Sequence, residues 1–510
     1  MSSTKGKDLP QVSDEEFPEP EDSDANPEEE EEEQQKEIIV IDDELIEELK
    51  ESIPKGNPVQ LAQAVDVIMG ALELKDNVIF EEEHKLNPLT EILVPLVSKV
   101  YSIYEANPSG KKHQITEKML ADIVQTYESF EKFKGSAELL EAFFETVLIT
   151  RKFVDKIDVS KALTTAVKFG ISNPKYSEIT NKELQKICDD ANFLPIIFNL
   201  RYDEYKNLAE KQHAESIERL LPELVEFFTE KGEISKSFVK KLIKNLASRI
   251  CDDIVKKDKG IISWGTVAEM NFITEFILKT EDQRFVYPYL TELYSFLRNF
   301  PTANYLPFQL RTAQNIAQIC SKFSKISPLL AWSADSMAII CSLHCKGKGG
   351  RFDWDNELVA PQNVNYEYAE EGFDRLSRII HSQLVEFSEN IAFPEYSQFI
   401  KRRLEEITIN AKNDRLKYRP KALIKTISEQ QDALISIKNN LQWKDRKEQI
   451  AAWAPAMEEM PTPIKTSVER SKKVEEAIRK ANAANRQNNE AVIDAAGDRV
   501  ERVNAENFLD

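Results

Sequence analysis

The sequence predicts an all-α fold, a HEAT- or armadillo-like α-solenoid of stacked helix pairs, on three observations. Apolar residues recur at three- and four-residue spacing through most of the chain, no long run alternates at period two, and glycine is scarce, at 14 of 510 residues. A chain this long exceeds what one hydrophobic core supports, whereas helix pairs repeated at intervals of about 40 residues bury their apolar faces on one another. An irregular helical domain without regular stacking is the alternative.

Residues 1–37 read as a disordered acidic tail. Between Gln11 and Gln35 there are thirteen acids and no Lys or Arg, too little apolar surface to offset the entropy of ordering. The net charge is −21, and this window carries much of it. The rest of the chain is only mildly acidic, which leaves room for a basic patch.

Residues 38–455 read as the solenoid. Asp42 and Asp43 suit the N-cap of a helix carrying Leu45, Ile46 and Leu49, which Pro54, Gly56 and Pro58 close. A helix over 61–74 follows, then one from Pro88 closed by Asn107, Pro108 and Gly110, one over 115–133 stopped by Gly135, and one from Ala137. The clearest pattern lies at 285–330. Val286, Leu290, Leu293, Phe296 and Leu297 mark one helix, and Leu310, Ala313, Ile316, Ala317, Cys320 and Phe323 mark the next. Between them an elbow is bounded by Pro301, which cannot continue a helix, and Pro307, which suits a first helical turn. After a helix over 327–343, the glycines at 347, 349 and 350 and Pro361 predict an extended excursion over 346–365. Helices resume at 372 and at 394. Residues 456–510 read as an extended arm, helix-prone but nearly without an apolar face.

Signals for catalysis are poor. The glycine cluster at 347 lacks phosphate-loop spacing. Cys341, His344 and Cys345 would share a helix face, but no second ligand pair lies at metal-site spacing, so no metal and no cofactor are expected. His84, His113, His213 and His381 are isolated and read as satisfied or solvated, and five scattered cysteines read as reduced. The opening MSSTKGKDLP leads straight into acid, and no apolar run reaches the roughly 18 residues of a membrane span. A soluble protein of the cytosol or nucleus, without a membrane partner, is expected. The one dense basic zone comprises Lys401, Arg402, Arg403, Arg415, Lys417, Arg419, Lys421 and Lys425, with Tyr418 and Trp443 inside it. It is a candidate RNA or partner surface whose phosphate binding would be salt-dependent, or else a solvated face offset by Glu405 and Glu406.

Taken in order, several stretches resemble the nucleolar complex protein 2 family. They are SWGTVAEMNFITEFIL from Ser263, with Trp264 as the match; Val286 to Leu290, holding Tyr287 and Pro288; and Phe300 to Phe308, holding Pro301, Thr302, Tyr305 and Pro307. The excursion and helix from Phe352, the run IAFPE from Ile391 with Phe393, Pro394 and Glu395, and the segments from Lys421 and Met460 continue the agreement to Arg470. The family-like core of the solenoid is 263–455. Asn304 and Gln309 stand where the family elbow has arginines, although Arg311 lies nearby and joins the basic zone as a candidate RNA or partner contact, so this is a diverged member.

The resemblance implies a non-enzymatic factor of the nucleolus and nucleus, in complex with the sister nucleolar complex proteins one and three. It would act on large-subunit pre-ribosomal particles in assembly, ribosomal RNA maturation and nuclear export, with ribosomal RNA as a further partner. The rival reading is a cytoplasmic helical-repeat adaptor or a transport-type protein-binding solenoid.

Overall fold

A computed structural model of the chain describes residues 39–41, 43–72, 78–80, 86–126, 137–150, 160–172, 174–188, 193–211, 214–256, 260–325, 329–345, 352–413, 415–441, 446–458, 462–470 and 473. They belong to two compact units, Met1–Phe133 and Lys134–Asp510. The expected acidic tail and most of the expected C-terminal arm lie outside the described residues.

In the first unit, β1 (Ile39–Ile41) pairs in parallel with β2 (Val78–Phe80), Ile39 facing Val78 and Ile41 facing Phe80. Three residues each are too few for period-two alternation to register, so periodicity does not foretell this ladder. Four helices make up the rest: α1 (Asp43–Lys55), α2 (Pro58–Leu72), α3 (Leu86–Ala106) and α4 (Lys111–Thr126). The first runs one residue past Pro54 and ends at Gly56, whose φ of +73° is the left-handed conformation that glycine tolerates. Apolar faces meet between α1 and α3, α2 and α4, and α3 and α4, burying Ile46, Leu61, Leu96, Val97, Val100 and Leu120.

The second unit is all helix among the described residues. In order come α5 (Ala137–Thr150), α6 (Ser160–Ser172), α7 (Pro174–Ile187), α8 (Leu194–Glu210), α9 (Ala214–Glu230), α10 (Glu233–Lys256) and α11 (Trp264–Thr280). Then follow α12 (Gln283–Asn299), α13 (Leu306–Lys322), α14 (Leu329–Ser342), α15 (Tyr366–Val385), α16 (Phe393–Asn410), α17 (Arg419–Asn440) and α18 (Arg446–Glu458). Packing runs between sequence neighbours and between helices two apart: α6 on α7 and α8, α11 on α12 and α13, α14 on α15 and α16, α16 on α17. The contact of α8 with α11 reaches further, as does the hydrogen bond from Arg219 of α9 to the Ile171 carbonyl of α6 at 2.9 Å. That is the all-α helix-pair stack the periodicity predicts, in which each pair completes the core of its neighbour.

Local chemistry sets the ends. Ser263 caps α11 by accepting from the Thr266 N–H at 3.2 Å, Asp282 caps α12 by accepting from the Arg284 N–H at 3.1 Å, and Asn365 caps α15 by accepting from the Tyr368 N–H at 2.8 Å. The expected elbow is present. Helix α12 stops at Asn299, a single 3-10 turn spans Ala303–Tyr305, and Pro307 lies in the first turn of α13. Leu290 and Ala317 are only partly buried, whereas Tyr289 is fully buried with Leu293 and Phe296 on α12, its hydroxyl donating to the Met270 carbonyl at 2.6 Å. Helix α14 ends at Ser342, so His344 and Cys345 leave the helix that carries Cys341. The beginning of the expected arm is packed: Ile464 is fully buried, and Lys465 pairs with Glu389, whose carbonyl also accepts from the Trp453 indole at 2.8 Å.

Candidate functional site

The residues singled out by sequence fall into three places. The first is a platform where the elbow meets the excursion. Asn304 donates from its amide to the carbonyls of Ala360 and Pro361 at 3.0 and 2.8 Å, and its own carbonyl accepts from the Ala360 N–H at 2.7 Å. Gln309 is buried and donates to the Leu297 carbonyl at 3.4 Å and, more closely, to that of Phe300. This chain therefore uses both amides to close its own backbone.

Arg311 extends the platform. Its guanidinium donates to the carbonyls of Trp354 and Asp355 at 3.2 and 3.3 Å and faces the Trp264 ring at 5.8 Å, while the Trp264 indole donates to the Asn356 carbonyl at 3.3 Å. Trp354 stacks on Tyr368 at 4.5 Å, Arg375 lies 5.2 Å from the Trp354 ring, and the Tyr368 hydroxyl donates to the Ala303 carbonyl at 2.5 Å. Burial, and then the charge of Arg375, hold the Arg311 guanidinium below its ordinary range, against which Asp355 acts. Trp354, Leu358, Ala360 and Val364 are buried, so the described part of the excursion (352–365) is a packed strap across the elbow. Pro307 is buried beneath it, Tyr305 is edge-on to Phe300 at 5.6 Å, and Pro301 and Thr302 are exposed at the turn.

The second place is the outer face of α12. Tyr287 is 80% exposed and Pro288 beside it is exposed, although Pro288 lies in the helix interior where a proline removes a hydrogen bond. Neither residue packs in the core.

The third is the α16 and α17 pair. Phe393 is fully buried at the start of α16, the Pro394 carbonyl accepts from Gln431 at 3.2 Å, and Glu395 pairs with Lys438 at 3.5 Å. The basic zone lies here, but it is not one patch. Lys401 turns toward α17, donating to Gln431 at 3.4 Å, whereas Arg403 turns toward α14, pairing with Asp335 at 2.9 Å and with Glu406 at 2.8 Å. Only Arg402 of that run faces solvent fully. The two acids raise the Arg403 guanidinium above its ordinary range, by hydrogen bonding first. Arg419 pairs with Asp374 at 2.7 Å and Glu370 at 3.4 Å, Lys425 with Glu429 at 3.8 Å, and Arg415 covers the Tyr366 ring at 4.5 Å. Lys417 is half-buried, and exposed Lys421 lies over Tyr418 at 4.8 Å. Neighbouring helices thus neutralise Arg403 and Arg419. The sequence shows Glu405 and Glu406 as the offsetting acids, whereas Asp335, Glu370 and Asp374 are brought in from 45 or more residues away by the fold.

Nucleophilic chemistry finds little support in these groups. Burial pushes the Cys341 thiol up to about 12 and lowers His381, a half-buried residue whose Nε2 has no protein partner. His113 stacks on Tyr104 at 4.4 Å, and His84 and His213 lie outside the described residues. Among the described residues no three metal-ligating side chains cluster, and no helix is long and apolar enough to cross a membrane.

Outside the 401–425 zone, α10 has a middle stretch whose exposed residues include no acid and no apolar group. They are Ser237, Lys240, Lys241, Lys244, Asn245 and Ser248. The signal in the sequence is the spacing of KSFVKKLIKNLAS, where the apolar residues take one face and lysine, serine and asparagine the other.

No curated protein matches the chain. The sequence model of the Noc2p family matches residues 197–471, from α8 through the elbow, the strap and the α16 and α17 pair to the helical segment 463–470. With that match over more than half of its length, the chain belongs to the Noc2p family, a family of ribosome biogenesis.

Proposed function

We propose that the chain is a non-enzymatic scaffold in the assembly, ribosomal RNA maturation and nuclear export of large-subunit pre-ribosomal particles. It acts in the nucleolus and nucleus, in complex with the sister nucleolar complex proteins one and three. The observation that carries this reading is the family match across the whole elbow, strap and α16 region. The geometry is consistent with a scaffold: Asn304, Gln309, Arg311 and Tyr368 are occupied in holding backbone carbonyls, which gives rigidity and leaves them unsuited to act on a substrate. Tyr287 is the strongest candidate contact for a partner, because an exposed aromatic with a polar tip is the kind of side chain that anchors interfaces.

The test is purification of the tagged full chain with identification of co-purifying proteins and RNA, alongside imaging of its location. Large-subunit precursors and the sister proteins are expected in the eluate, and Tyr287→Ala is expected to deplete at least one sister protein while leaving the melting temperature unchanged. Exclusion from the nucleolus together with an eluate free of precursor RNA would overturn the reading and favour a cytoplasmic adaptor.

A further inference from the structure

Helix α10 buries Val239, Leu242, Ile243, Leu246 and Ile250 on one side. Its first turn is tied to the start of α12 by Lys236 with Asp282 at 3.5 Å and by Arg284 with Glu233 at 3.5 Å, and Arg249 pairs with Glu269 of α11. The opposite side is open. Between Ser235 and Ile250 every exposed residue is a hydrogen-bond donor, and Glu233 and Asp252 mark where acids resume. Among the described residues Lys240, Lys241 and Lys244 have no carboxylate within ion-pair distance. Three cations within one turn repel, by about 0.2–0.5 kcal/mol for a like-charged i,i+4 pair, in a chain whose net charge of −21 offers many acids that could have been placed beside them.

The stripe spans twelve residues, Ser237 to Ser248, about 16 Å at helical rise. Its chemistry selects among polyanions. A protein interface needs apolar or aromatic anchors at its centre, and the stripe has none. Single-stranded RNA is held by stacking on aromatic side chains, which are also missing here. Lysines interspersed with hydroxyl and amide donors are what phosphate oxygens accept from. We propose that this face of α10 binds the phosphate backbone of duplex RNA, without reading sequence. In the scaffold reading that duplex is a helix of precursor ribosomal RNA, and only that identification rests on the reading. The contact moves RNA binding away from 401–425, where Arg403, Arg419 and Lys425 are already paired with acids.

The experiment measures binding of a short fluorescent RNA duplex of arbitrary sequence to the purified full chain over a salt series. The variants are Lys240→Gln, Lys241→Gln and Lys244→Gln combined, and, as a control of equal charge change, Arg402→Gln, Lys417→Gln and Lys421→Gln combined. All three α10 positions are exposed and glutamine is a comparable helix former, so the melting temperature is expected to hold. Wild-type chain is expected to bind, and the α10 variant to bind at least about tenfold more weakly at low salt, with the slope of log K against log salt shallower by about 2–3. The control is expected to keep most of the affinity and slope.

A wild-type chain that does not bind the duplex, an α10 variant with unchanged slope, or equal loss in both variants would overturn the proposal. So would an α10 variant that binds RNA normally but loses an acidic protein from the purified complex. Loss of duplex binding by the α10 variant, in a chain absent from pre-ribosomal particles, would uphold the RNA face while sinking the scaffold reading. The reverse pattern would do the opposite.

Discussion

Asn304 shows how one side chain decides the use of a whole segment. Its amide and backbone together make three hydrogen bonds to Ala360 and Pro361, so that removing the amide leaves two carbonyls of the strap without this donor. Asn304→Ala is expected to cost about 1–3 kcal/mol, read as a lower urea midpoint with unchanged m-value, because the compactness of the native state is retained. Trp264 and Trp354 sit on either side of the same junction and give a fluorescence signal for it. An unchanged midpoint would show that the strap is held by Arg311 and the aromatic stack alone. The sequence displays an asparagine and nothing of its partners, which lie 56 and 57 residues away. The same holds for Arg403. As part of a basic run it reads as available surface, but its partner Asp335 is on α14, so a charge reversal there is a packing change, whereas one at Arg402 is a surface change.

At the scale of an element, α12 is defined by its ends and by one buried hydroxyl. Asp282 caps the helix and lies between Arg284 and Lys236. Hydrogen bonding from Arg284, more than any other cause, holds its carboxyl far below the usual carboxylate range. A carboxyl depressed in the folded chain contributes stability that is present above its unfolded value, about 3.9, and is lost as pH falls through and below it. Asp282→Asn keeps the cap but not the charge. It is therefore expected to melt lower than wild type at pH 7, with the difference shrinking as pH drops below about 4. A difference that is constant with pH would show that capping geometry, and not charge, is what Asp282 supplies. Element positions such as this were legible: Ser, Asp and Asn precede helices, Pro307 opens α13 and Pro301 follows α12. The burial of Tyr289 was not, since a tyrosine on a periodic face is ambiguous until the Met270 carbonyl and the Thr274 hydroxyl are placed beside it.

For the whole molecule, packing between helices close in sequence means that each stretch of stack has its own core. Lys134–Asp510 is a compact unit with buried residues from Leu139 to Ile464. Expressed alone, residues 134–510 are expected to fold with a helical circular dichroism signal and one cooperative thermal transition, as neighbour-coupled helix pairs do. A fragment without cooperative melting would show that this unit depends on the residues before it.

Helical periodicity, proline and glycine punctuation and the acidic bias are local properties, and they determined the all-α class, the order of the helices, the elbow and the family resemblance. Tertiary structure decided which polar groups remain available to a partner. Arg201 illustrates the point: it is 3% exposed, its ring partner Phe227 lies 4.2 Å away, and burial lowers its guanidinium to about 10, none of which its neighbours in sequence announce. The basic run at 401–403 is contiguous in sequence and divided in space, while Lys240, Lys241 and Lys244 of α10 are interrupted by apolar residues in sequence and united on one open face. The reason is that a charge is neutralised by whatever the fold brings within a few ångströms, and residues such as Asp335 and Asp374 arrive there only through packing.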